Sequence, residues 1–562
     1  MTEDPAVILP PRPPATSPLL RPGFHVAFFV VVAAILVAAV RIPPILDFPN
    51  HFARIFLIAG GIDQPFFGSA YALDWSRART NIGIDLLAFW IGPLVGPELL
   101  ARTLLFLAVV LPPFGAIALN RRLFGGSRPF QVAILFLAWS TTLVSGFVNF
   151  QIGIGLALFF ALVDLRIGRG HPVLLNLWRA AACFLLTIDH IFAAGFYLVL
   201  SAGLELPASF RDFAAPRVLA TACVRIAIGG AIGLAPIAAL MLSAGGLPGE
   251  DPGVGTMWNT PALALSNVLS AISSYLTPLD IAFLVPIVIV VVEARSRRRM
   301  RVHAGLITAA GLLLVLSLLA PRHAMGTGWI SWRFPIMALL AGAAAICPFP
   351  DTEGAVRRRI VAASAAAVFL RTAVVAALWW QGSQDATAVQ RVLAAVPPGS
   401  KVLPVDHYPL HRPGWRHASR YFFGGEDTIR HLPALATPDA GAFVPTLFTA
   451  IGKQPLAVIG DFRSIAVPEG NLLPIGALFC DSMQAFYAPF TPYLADWRQR
   501  FDYVLTVNAD LPDMFVGAAR PAGLTEVVNA GFAVLYAIDK ADTVPRFGGA
   551  DECPAPQAWY PN

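Results

Sequence analysis

Charge is scarce in this sequence. Only 13% of its 562 residues are Asp, Glu, Lys or Arg, where a soluble chain carries about a quarter. Hydrophobic residues make up 56%, and the mean hydropathy is +0.66. This excludes a soluble enzyme of ordinary composition and points to an integral membrane protein. Lysine is nearly absent: three of the 40 basic residues are lysines, and Lys401, Lys453 and Lys540 all lie late in the chain. The five cysteines form no CxxC and no Cys/His cluster, which excludes a disulfide scaffold and a structural zinc site. No glycine-rich phosphate loop follows a strand pattern, and no internal repeat is visible. A cleavable leader is not expected. Residues 1–23 are proline-rich and hold Arg12 and Arg21, and the apolar run that follows lacks a small-residue cleavage site, so it reads as a signal anchor.

What is present is a series of apolar runs, at 24–40, 99–119, 130–145, 147–165, 175–188, 190–206, 218–246, 280–294, 303–320, 334–348 and 357–380. A twelfth, 82–96, is short, carries Asp85 and contains the Gly92-Pro93 break. Arginine placement decides whether it crosses. If the N-terminus is inside and 82–96 does not cross, fifteen arginines, including Arg121, Arg122, Arg128, Arg295 and Arg357–Arg359, fall in inside loops. If it crosses, they fall outside, against the positive-inside rule. The sequence therefore predicts an α-helical polytopic protein of about eleven spans in a bacterial inner membrane, with a cytoplasmic N-terminal tail (1–23) and a transmembrane domain (24–380). The outer loops 42–98 and 247–279 are expected to hold membrane-hugging helices. Arginines in short loops orient helices rather than forming a phosphate-binding stripe, which excludes nucleic acid as partner.

Residues 381–562 differ. They carry 13 basic and 17 acidic residues against 27 and 17 in residues 1–380, a net charge of −4 against +10. Helix 386–395, strands at 402–405, 457–460 and 503–507, and a hairpin of 524–528 with 532–538 read as a periplasmic α/β domain. Cys480 and Cys553 are the only cysteines there, and a disulfide between them is open. His407, His411, His417 and His431 lack metal-site spacing, and Pro409 separates the first two. This domain is expected to cover the outer opening and help select an acceptor, with the chemistry left to the membrane domain.

The strongest local signal is Leu46-Asp47-Phe48-Pro49-Asn50-His51-Phe52-Ala53-Arg54, just outside the first span. On a helix, Asp47, His51 and Arg54 share one face. A plain alternative is a capped interfacial helix with Asp47 as N-cap and His51 and Arg54 solvated. The predicted topology brings further polar residues to the same side: Asn149 and Gln151, Asp189-His190, and Arg322-His323 with Trp329, Trp332 and Arg333. Ionisable groups at apolar helix ends are functional candidates.

One span, a long outer loop with Asp47 at its start, an interfacial helix with a Gly-Pro turn (Asn81–Gly96), then Ala101-Arg102 opening a span that ends Asn120-Arg121-Arg122-Leu123-Phe124-Gly125 resembles the GT-C class of membrane glycosyltransferases. The resemblance covers residues 24 to about 380 and is one of architecture more than motif. It implies a sugar moved from a polyprenyl-phosphate-linked donor to an envelope lipid, glycan or protein acceptor on the periplasmic face. It also implies a first-loop acid that acts on the acceptor or holds a divalent metal ion, and Asp47 is that position. Where the class often has a second acid, this chain has Asn149 with Gln151 nearby, so Asp189 and His190 are the substitutes to complete a metal site with Asp47. Asp47 or His51 would be the catalytic base. Arg54, Arg322, His323 and Arg333, with Asn149 and Gln151, would bind the donor phosphate or substrate.

Two other readings stand beside it. The departure at Asn149 suits a catalytically silent scaffold of envelope polysaccharide assembly. A transporter or flippase would need polar residues at mid-membrane, whereas spans such as 307–319 are nearly free of them.

Overall fold

The computed structural model describes residues 21–243, 255–407, 415–511 and 523–540. The start of the 247–279 loop, His411 and Cys553 lie outside the described residues, as does nearly all of 1–23. In chain order the main helices are α1 (Pro22–Ala39), then α2 (Phe48–Ile58) and α3 (Gly83–Trp90) in the first long loop, α4 (Pro97–Phe124), α5 (Val148–Ile167), α6 (Pro172–Asp189), α7 (Ile191–Glu205), α8 (Pro216–Ser243), α9 (Thr277–Ser296), α10 (Ala304–Leu319), α11 (Ile330–Ala344) and α12 (Gly354–Leu393). Among the described residues, seven helices (α1, α4, α5, α6, α8, α9 and α12) are long and apolar enough to cross a membrane. α7, α10 and α11 are apolar but hold only 15, 16 and 15 residues.

The run expected at 130–145 is not one helix. It is broken into turns at Gln131–Ile134, Leu135–Ala138 and Thr141–Val144, with non-helical backbone at Trp139 and Ser140. A break among apolar helices frees carbonyls that need donors. Arg371 of α12 supplies them. Its buried guanidinium donates to the carbonyls of Phe136, Trp139 and Ile272 and pairs with Asp280 of α9 at 2.7 Å. Thr372 accepts from the indole N–H of Trp139 at 3.0 Å. Buried ion pairs therefore do occur within the helical bundle, a departure from the nearly apolar interiors expected from sequence.

The boundary expected at residue 381 is not a helix end. α12 is continuous for 40 residues and merges the last span with the predicted 386–395 helix. Nothing between them stops a helix, since a single interior glycine costs only about 1 kcal/mol. That glycine, Gly382, is where α12 meets the chain after α1. A Cβ there would lie 2.5 Å from Cβ of Pro44.

The C-terminal part contains a five-stranded mixed sheet of β1 (Val402–Asp406), β2 (Leu473–Pro474), β3 (Tyr503–Val507), β4 (Leu524–Asn529) and β5 (Val534–Ile538), in the order β2-β1-β3-β5-β4. β1 runs parallel to β2 and β3, and the β4–β5 hairpin is antiparallel. The strand expected at 457–460 lies at Leu456–Val458 and joins no part of this sheet. It pairs antiparallel with Tyr71–Leu73 of the first long loop. Arg41 after α1 pairs with Asp439 at 2.8 Å, and Arg420 pairs with Asp385 of α12 at 2.8 Å. The C-terminal part is thus stitched to the first loop. Cys480 is disulfide-bonded.

Candidate functional site

The loop after α1 is pinned from two sides. The backbone N–H groups of Leu46 and Asp47 donate to the carbonyls of Val144 and Ser145 at 3.0 and 3.2 Å, at the end of the broken segment. Gly146 follows with φ +86°, and a Cβ there would lie 2.7 Å from both N and Cβ of Asp47. Only glycine allows that backbone and that approach. Pro49 then opens α2 in its first turn.

Asp47 precedes α2, yet its side chain makes no capping bond. The capped-helix reading fails on this point, and the carboxylate is free for other work. α2 is also not solvated at the headgroups. His51 is 7% exposed and Arg54 1%, because the C-terminal part packs over the helix through Leu432–Leu435 and Phe448. Asn50 holds that cover down. Its Nδ2 donates to the Thr446 carbonyl at 3.1 Å, and its Oδ1 accepts from the Phe448 N–H at 2.8 Å.

The same Nδ2 lies 3.4 Å from Nδ1 of His431. Donation to Nδ1 leaves the ring proton on Nε2, which faces Oδ1 of Asp47 at 3.5 Å. His51 Nε2 donates to the Gly146 carbonyl at 3.0 Å. Phe448 sits edge-on to both rings, 5.6 Å from His51 and 5.1 Å from His431. Burial pushes the Asp47 carboxyl up to about 8, with Glu469 adding to the effect and Arg430, Arg333 and Lys453 opposing it. Burial also lowers His51 well below its ordinary value, with Arg54 in the same direction and the Gly146 carbonyl opposing. Burial and the adjacent Arg430 take His431 down to about 3. One neutral imidazole, His431, therefore faces the Asp47 carboxyl, while the other, His51, is turned to the Gly146 carbonyl.

Two arginines complete the site. Arg54 Nε pairs with Asp85 of α3 at 2.6 Å, while its Nη1 and Nη2 are buried with no hydrogen-bond partner among the described residues. Arg333 of α11 lies over the rings of Phe147 (4.4 Å) and Phe192 (5.1 Å) and donates Nη1 to the Gly328 carbonyl at 2.7 Å.

Most of the other expected residues have partners of their own. Asn149 is structural: its amide donates to the backbone and side chain of Asn81 at 2.9 Å and accepts from the Ile84 N–H at 3.0 Å, holding the start of α3. Gln151 donates to Ser140 and Thr142 at 3.0 and 2.7 Å inside the broken segment. Arg322 faces Glu426 at 3.5 Å, and His323 pairs through its backbone with Met257. Asp189 is wedged between Gly83 and Gly153. His190 caps α7 by accepting from the Phe192 N–H at 3.2 Å and packs on Phe150.

Among the described residues, no group of three His, Cys, Asp or Glu side chains is placed to hold a metal. Asp47, Asp189 and His190, the expected metal set, are not gathered into such a group. The C-terminal part, expected to cover the opening, packs over α2 and brings His431, Arg430 and Phe448 to Asp47 and His51. Neither His431 nor Asn50 carried a local signal for this. Their partnership spans 381 positions, and only the Asn50-His51 adjacency hinted at it.

No family model matches the chain, and no curated protein matches it. Among solved structures, the crystal structure of ArnT from Cupriavidus metallidurans in the apo state is similar, with a TM-score of 0.48 and 13% sequence identity, covering 92% of this chain and 97% of that chain.

Proposed function

We propose that the chain is a glycosyltransferase of the GT-C type, in the bacterial inner membrane with eleven crossings, moving a sugar from a polyprenyl-phosphate donor to an envelope acceptor on the periplasmic face. The observation that carries this reading is Asp47: a largely enclosed carboxyl just before α2 that caps no helix, with a pKa raised to about 8 and two cations with unpaired nitrogens in the same region. A general base works best when its pKa lies near the working pH.

In the proposed reaction, ionised Asp47 accepts the proton of the acceptor hydroxyl. The hydroxyl oxygen then bonds to the anomeric carbon as the carbon–oxygen bond to phosphate breaks, with inversion and no covalent intermediate. The departing polyprenyl phosphate carries a new negative charge, which Arg54 and Arg333 are suited to hold. Arg322 is less suited, being turned to Glu426.

The residues around Asp47 do not fit a divalent metal. Arg430, Arg333 and Lys453 act on it against one acid, Glu469, so no step is routed through an ion. The test uses membranes from cells expressing wild type or Asp47→Asn, incubated with extracted polyprenyl-linked sugars and followed by mass spectrometry. Wild type should deplete one donor and form a product heavier by the same sugar, with or without EDTA. Asp47→Asn should slow this by about 10²–10⁴-fold. Equal turnover by the variant would defeat the proposal. The scaffold reading predicts no depletion by either protein.

A further inference from the structure

Far from Asp47, at the arginine-rich ends of the helices, a lateral cleft opens between α7, α8 and α10. Its volume is about 270 Å³, its walls include Leu198, Ile226, Leu234 and Leu312, and Arg179 and Glu205 close one end. The charges at that end do not balance. Arg179 pairs with Asp164 at 3.1 Å and with Glu205 at 2.9 Å. Asp164 also accepts from Tyr197 at 2.6 Å and Ser201 at 3.0 Å. Glu205 is faced as well by Arg169 at 3.2 Å and Arg225 at 3.8 Å. Three guanidiniums share two carboxylates, which leaves one positive charge.

Arg225 is the least neutralised of the three. It has the longest contact and stands nine residues into α8, a helix without an acidic residue, whereas Arg169 also donates to the Leu204 and Glu205 carbonyls. An uncompensated cation at apolar depth is costly, and lipid supplies the counter-charge most simply. Gly230 lines the cleft, and a Cβ there would meet nothing within 4 Å.

We propose that this cleft binds a monoanionic diacyl phospholipid, with its phosphate at Arg225 and an acyl chain along Leu198, Ile226 and Leu312. The single excess charge matches one phosphodiester. The cleft lies at the opposite ends of α5 and α7 from Asp47, which separates this lipid from the donor of the proposed transfer. The inference does not depend on that transfer.

Native mass spectrometry of the full-length protein, titrated with phosphatidylglycerol, phosphatidylcholine or polyprenyl phosphate, tests it. Wild type should retain one phosphatidylglycerol with a preference over phosphatidylcholine. Arg225→Gln should lower that preference roughly fivefold, the effect of one interfacial arginine at about 1 kcal/mol. Gly230→Leu, which fills open space rather than clashing, should reduce retention of both lipids. Equal retention of the two phospholipids by wild type, or retention unchanged in both variants, would overturn the proposal. So would stronger retention of polyprenyl phosphate that is lost in Gly230→Leu, since the cleft would then serve the donor.

Discussion

Asp47 holds its carboxyl where ionisation is costly, and this has a consequence for stability that can be separated from activity. Its affinity for the proton is raised in the fold to about 8 from an ordinary 3.8. A group raised in this way stabilises the folded state fully below about pH 4 and loses that contribution as pH climbs through about 8. Across that window the unfolded chain has released the proton and the folded chain has not, so Asp47 alone lowers stability by about 1.4 kcal/mol per pH unit. Asp47→Asn removes this dependence. Thermal midpoints in detergent from pH 5 to 9 should fall less steeply for the variant, and near neutral pH the variant should be the more stable protein. Inactivity combined with raised stability is the mark of a site under functional strain. A variant less stable than wild type at pH 8 would mean that the carboxylate is paired in the fold.

At the scale of elements, the helices were legible because apolar runs need only local composition to be seen. Apart from 130–145, each run named from sequence is mostly helical, and 82–96, expected as one interfacial helix with a Gly-Pro turn, is two short helices, Gly83–Trp90 and Gly92–Val95. The broken segment at 131–144 was hidden, because its interruption at Trp139 and Ser140 depends on donors from Arg371, more than 230 positions away. Leu456–Val458 was legible as a strand, but its partner Tyr71–Leu73 was not, since pairing across outer loop and C-terminal part leaves no periodic trace. Arg371 gives the sharpest test at this scale. Arg371→Met leaves Asp280 unpaired and three carbonyls without donors, and should cost about 3–5 kcal/mol. Arg371→Met with Asp280→Leu removes the stranded charge and should recover part of that loss, measured as thermal midpoint in the same detergent. Equal loss in single and double variants would mean that the carbonyl bonds, not the ion pair, dominate.

For the whole molecule, the division of labour differs from the one composition suggests. The charge change near residue 381 is real, but α12 runs through it, and the more acidic C-terminal part reaches back to cover α2. Of the candidate site, Asp47, His51, Arg54 and Arg333 were legible as polar residues at helix ends. Asn149 and Gln151 read the same way, but the fold spends them on its own backbone and side chains. Deletion of residues 385–562 removes His431 and Phe448 and opens α2 to solvent. A cysteine introduced by His51→Cys should resist a membrane-impermeant maleimide in the full chain and react in the truncated one. Resistance in both would show that the bundle alone buries this face.

The C-terminal part and the first long loop together enclose the Asp47 carboxyl and hold its pKa up to about 8. Infrared difference spectroscopy of wild type against Asp47→Asn, titrated from pH 4 to 10, reads that carboxyl directly. A protonated carboxylic C=O band, absent from the variant, should disappear with a midpoint near 8. A band that disappears near pH 4, or no band assignable to Asp47, would contradict it.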